Sequence, residues 1–153
     1  MLLFLAFLIG IIAGLRAMTA PAAAAWGAAL GWFDVAQTPL AFMGYQWTPW
    51  IFTVLAVVEL ITDQLPTTPS RKVPMQFGTR IIMGAVTGAT IGASGGSLVA
   101  GLIAGIVGAV AGTLGGATAR SRLASVFGKD LPAALIEDIV AIGGALLIVG
   151  AVT

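Results

Sequence analysis

Six residues of this chain carry chemistry in surroundings that offer them almost no water: Arg16, Thr19, Glu59, Asp63, Glu137 and Asp138. Arg16 and Thr19 stand in "AGLRAMTAP", directly after an apolar run. Glu59 and Asp63 stand in "VVELITDQLP", four residues apart and therefore on one helical face. Glu137 and Asp138 stand in "LIEDIVAIGG". A charged side chain at the centre of a bilayer costs at least ~2.5–3.5 kcal/mol on insertion scales, so such groups turn inward and find partners. Two chemistries fit them. One is a set of buried ion pairs that fixes helix register, with Arg16, Arg80 or Arg120 neutralising the carboxylates. The other is a path for an ion, a proton or a substrate.

Pro21 sharpens the second reading. Proline removes a backbone donor and clashes with the preceding turn, so a helix should break between Arg16 and Ala20. Pro21 then falls in the first turn of a new helix, where proline is tolerated best. That new N-terminus presents free N–H groups and a positive dipole end. With Arg16 and Thr19 beside it, the break predicts a small-anion site at membrane depth, as in transporters built on broken helices. The alternative is an ordinary proline kink in which Arg16 pairs with Glu59 or reaches toward the interface.

The elements that must position these residues follow from composition. The chain is 59% hydrophobic and 8% charged, against about 25% charged in a soluble domain, and its mean hydropathy is +1.06. A net charge of +1 gives no reason for a nucleic-acid partner. With neither cysteine nor histidine, disulfides, thiol chemistry, zinc and haem sites and histidine acid–base catalysis are excluded, and no metal or cofactor is expected. No serine lies in a nucleophile elbow, no glycine-rich phosphate loop joins a strand to a helix, and Asp63 and Asp138 lack a Gly-x-Gly context. The expectation is a non-enzyme.

Apolar runs cover about 2–15, 20–33, 49–65, 80–95, 97–119 and 132–152. No Lys or Arg precedes the first, so "MLLFLAFLIGIIAGL" reads as a retained membrane segment despite the signal-like Ala20-Pro21-Ala22. Crossing a bilayer takes roughly 20 residues, so the first two short runs are read as one interrupted span, 2–33. With 49–65, 80–95, 97–119 and 132–152, this predicts a single all-α membrane domain over 1–153 with about five transmembrane helices. If 2–15 and 20–33 form a re-entrant hairpin instead, the N-terminus changes sides and nothing else does. Arg71, Lys72, Arg80, Arg120, Arg122 and Lys129 all lie in the loops 66–80 and 119–132, which the positive-inside rule puts in the cytoplasm. The first loop reads as extended, the second as a short amphipathic connector. Loop 34–49 carries no base and, with Trp32 and Trp50, forms an aromatic belt. Gly84, Gly88, Gly92 and Gly96 recur every four residues, and Gly101, Gly105, Gly108, Gly112 and Gly115 follow a four-three alternation, so helices are expected to pack backbone to backbone.

The blocks "AGLRAMTAPAAAAWGAALGW", "VVELITDQLPTTPSR" and "LIEDIVAIGGALLIV", in this order, resemble the bacterial membrane family called domain of unknown function 4126. The resemblance spans nearly the whole chain and implies a small multi-pass helical membrane protein, read here as one of the inner membrane. A short internal similarity, "AGLRAMTAP" with "AGTLGGATAR", raises an inverted repeat. The reading that follows is a small transporter or channel-like permease in the lipid bilayer, a homo-oligomer handling a small anion, cation or proton. The alternative is a non-transporting scaffold or accessory subunit that holds a partner on its glycine faces.

Overall fold

A computed structural model describes residues 2–36, 38–62, 74–128 and 130–152. Among these the chain is all helix: α1 (Leu2–Leu15), α2 (Thr19–Ala29), a 3-10 turn (Ala41–Gly44), α3 (Thr48–Thr62), α4 (Pro74–Ser94), α5 (Leu98–Phe127) and α6 (Asp130–Ala151). Pro21, Pro49, Pro74 and Pro132 each fall within the first three residues of a helix, where the N–H that proline lacks would have no intrahelical partner. Helix α4 ends in a Schellman turn. Gly96 takes φ 79°, while its N–H and that of Ser97 return to the carbonyls of Ala93 and Gly92.

The glycine spacing becomes a close-packed core of α1, α4 and α5. A methyl built on Gly105 would strike the Gly84 carbonyl oxygen on α4, and one built on Gly10 of α1 would strike the Gly105 carbonyl oxygen. Gly88 meets Gly101 and Gly105 in the same way, and Gly108 and Gly112 meet the backbone of Phe7 and Ile11. Helix α2 is an alanine helix, with Ala22 to Ala25 all buried, and packs on α3 and α6.

These contacts fix the direction of the helices around the tip. Gly10 opposite Gly105 and Gly14 opposite Thr113 make α1 parallel to α5. Arg16 opposite Asp138 and Ile12 opposite Gly144 make α1 antiparallel to α6. Arg16 opposite Asp138 and Gly27 opposite Val149 make α2 parallel to α6. Helices α1 and α2 therefore run in opposite directions, both flanking α6. The interruption near Arg16–Pro21 is real, but it is a reversal. The expectation of one broken span over 2–33 gives way to the hairpin alternative, with its tip at Arg16–Met18, about 21 Å along from the start of α1 at 1.5 Å per residue. The reason is packing: α2 matches α6 with small side chains and returns along it, which a helix continuing straight past α6 would forgo.

Two linkers also differ from the sequence reading. Helix α4 begins at Pro74, so Arg80, expected in an exposed loop, lies 2% exposed inside the bundle. Helix α5 runs through the expected connector at 119–127 and stops only at Gly128, which takes φ 71°. "AGTLGGATAR" sits inside that unbroken helix, so the break after Arg16 has no repeat there. The belt residues Trp32, Tyr45, Trp47 and Trp50 are exposed, and Trp50 meets Trp26 edge to face with ring centroids 5.0 Å apart. Among the described residues one helix, over Leu98–Leu123, is long and apolar enough to cross a bilayer; Leu2–Leu15 and Thr48–Glu59 are apolar but shorter.

Candidate functional site

Breaking a helix inside a packed interior exposes two sets of backbone groups, carbonyls at the end of one half and N–H groups at the start of the other. The hairpin tip meets each set with charge of the opposite sign. At the C-terminal end of α1 the carbonyls of Gly14 and Leu15 receive cations. Arg80 Nη1 donates to the Gly14 oxygen at 2.8 Å, and Arg16 Nη1 donates to the Leu15 oxygen at 3.2 Å. Thr113 Oγ1 adds a longer contact to Gly14, at 3.5 Å. At the entry to α2 the N–H groups of Ala17 and Met18 each donate to one carboxylate oxygen of Glu59, both at 3.0 Å. Both placements are favourable for the helix dipoles, which are negative at the end of α1 and positive at the start of α2.

Arg16 itself is fully buried. Its Nε donates to Asp138 Oδ1 at 2.6 Å, and its Nη2 pairs with the same oxygen. Its Nη1 reaches Glu137 Oε1 at 3.4 Å, and Glu137 is shared with Arg120, whose Nη1 lies 3.7 Å from Oε2. The guanidinium thus uses its planar fork on three acceptors at once, which a lysine has no geometry to do. Glu137 and Asp138 are adjacent in sequence and meet different parts of the guanidinium, so both acids of the "ED" pair stay within the bundle, each 8% exposed.

Thr19 completes the tip. It is 7% exposed, and its hydroxyl makes no hydrogen bond among the described residues. Buried hydroxyls are ordinarily satisfied, so each exception calls for a reason. Thr19 borders a cavity of about 200 Å³ between α2, α3 and α6, otherwise lined by groups such as Ala22, Ala56, Val57 and Leu146.

The structure therefore gathers Arg16, Glu137 and Asp138 on one limb of the tip and Thr19 and Glu59 on the other. Arg16 pairs with α6 rather than with Glu59, and Glu59 occupies the N–H groups expected to receive an anion. Asp63 lies outside the described residues. Thr113 belongs to the site and was not expected in it; Arg80, named as a possible counter-ion of the carboxylates but assigned to a loop, caps the end of α1 there. A signal for Arg80 exists in the sequence: it stands four residues before Gly84 and continues the Gly84, Gly88, Gly92 stripe that faces α5.

A family model described as domain of unknown function 4126 matches residues 3–151. No curated protein and no solved structure matches the chain.

Proposed function

This chain belongs to the family described as domain of unknown function 4126, and we propose that it is a small multi-pass permease of the bacterial inner membrane, with a re-entrant hairpin whose tip binds an anionic group. The carrying observation is the Glu59 carboxylate seated on the N–H groups of Ala17 and Met18. It supports the reading because the position accepts a carboxylate, and a permeating anion of similar shape competes for the same two donors. Backbone that reverses at membrane depth is tolerated where it is enclosed by protein or borders a cavity. The Thr19 hydroxyl beside that cavity gives an incoming ligand one more partner.

In this reading α3, α4, α5 and α6 cross the bilayer, and α1 and α2 dip in and return. The N-terminus and the 34–47 segment then face outward, and the C-terminal end of α5, with Arg120 and Arg122, faces the cytoplasm, as the positive-inside rule requires. An N-terminal tag and a cysteine replacing the exposed Ala36 should label from the same side, and a cysteine replacing Ser125 from the other. Labelling of the tag and Ser125 from one face would return the first segment to a full span. Gly143 has nothing within 4 Å of an added methyl, which leaves a small-residue face on α6 for packing between copies in a homo-oligomer.

The competition has a direct test. Removing the cap in Glu59→Ala should lower stability by about 0.5–2 kcal/mol, the usual worth of a helix N-cap. Chloride or inorganic phosphate, added at constant ionic strength, should then raise the melting temperature of Glu59→Ala more than that of the wild type, and anion flux in proteoliposomes should change in the same variant. Equal responses to anions in both proteins, with no flux in either, would instead favour a scaffold. That second reading draws on the Arg16–Asp138 pair, which is buried and closed by its own partners.

A further inference from the structure

We propose a second binding site, at the end of the bundle opposite the hairpin tip, that takes an organic ammonium cation on Asp34 between aromatic rings. The site is a cavity of about 470 Å³ bordered by Asp34, Phe42, Tyr45 and Thr48, with Ala28 of α2 at its base. That volume lies within the range of ordinary small-ligand pockets, about 300–1,000 Å³. The rim is held in place. Thr48 Oγ1 donates to the Phe42 carbonyl oxygen at 2.6 Å, Tyr45 N–H donates to the same oxygen at 3.1 Å, and Asp34 Oδ1 accepts from the N–H of Ala36 at 2.9 Å. The second carboxylate oxygen of Asp34 has no such anchor among the described residues.

Charge selects the class of ligand. Asp34 is the one Asp, Glu, Lys or Arg in residues 17–58. The segments that packing brings to the same end, 2–12, 92–103 and 139–152, hold none. The carboxylate, exposed at the rim, therefore stands without a neighbouring base in these segments, and a cleft lined by one sign of charge concentrates its counter-ion. Phe42 and Tyr45, which also line the cavity, offer aromatic quadrupoles that attract a cation, as quaternary ammonium ligands exploit. A metal ion would find a single carboxylate here and too few oxygen ligands for a calcium or magnesium site. An ammonium with apolar arms uses both the charge and the rings.

This site is independent of the permease reading, and a titration separates the two. Full-length protein in detergent is titrated with tetraethylammonium chloride, read by tyrosine and tryptophan emission, with sodium chloride at matched ionic strength as the control. The expected result is a saturable change with tetraethylammonium alone. Asp34→Asn should weaken it by about tenfold, the loss of one charge-assisted contact of ordinary strength. Tyr45→Leu should weaken it as well, and Glu59→Ala should leave it unchanged. A response that is linear and equal for both salts, as expected if the rings only face lipid headgroups, overturns the proposal. So does an affinity that survives Asp34→Asn.

Discussion

Gly105→Leu is expected to prevent the α1–α4–α5 core from closing. Gly105 is the residue where three backbones meet: its own added side chain would point into Gly84 and Gly88, while Gly10 abuts it from α1. The obstructing atoms are backbone, so no rotamer change relieves the clash and whole helices must separate. Overpacking of a core costs typically ~1–3 kcal/mol, and this position belongs at or above the top of that range. In the proposed membrane setting there is no hydrophobic driving force between helices to offset lost contact, since lipid tails are as apolar as leucine. The control is Gly115→Leu, where an added methyl meets open space and the exchange gains up to about 1 kcal/mol of helix propensity. Thermal melts in detergent should show Gly105→Leu strongly destabilised or unfolded and Gly115→Leu unchanged or slightly raised. Equal behaviour of the two variants would refute backbone-to-backbone packing at Gly105.

Local signals in the sequence carried the helices and much of the tip. Apolar runs placed the six helices to within a few residues at most ends, because periodicity and hydropathy are local. Pro21 marked the break because its effect on the preceding turn is also local. The direction of the chain after the break was not legible. A kinked span and a hairpin use the same residues, and only the match of α2 with α6, over a hundred positions away, selects the hairpin. Arg16's partner was hidden for the same reason. Glu59 and Asp138 reach the same level of the bundle from different helices, and spacing within one segment ranks neither. The start of α4 was misread because three prolines suggested extended chain, although Pro74 is also what a helix places in its first turn. Arg80 moved from loop to interior with that shift.

The other large effect is expected at Arg16. With the guanidinium gone, Arg16→Ala deprives the buried Asp138 of the Nε and Nη2 donors that now meet it, and leaves Glu137 with Arg120 at 3.7 Å. Removing one member of a buried pair costs ~3–5 kcal/mol, most of it the penalty of the stranded charge. Asp138→Asn removes that charge, so the double variant Arg16→Ala/Asp138→Asn should recover most of the loss. Arg16→Lys should fall between wild type and alanine, since an ammonium keeps the charge but not the fork. Arg16→Ala/Glu59→Ala should show much weaker coupling, because Glu59 bonds the backbone of Ala17 and Met18. The two cycles, read by thermal stability, thus separate the limbs of the tip. Strong rescue by Glu59→Ala and none by Asp138→Asn would reverse the assignment and make Glu59 the counter-ion. The predicted order has a consequence for function: if Arg16 is committed to α6, the group with which an anion would compete is Glu59, and flux should respond to Glu59→Ala in a protein whose Arg16–Asp138 pair, and whose fold, are intact.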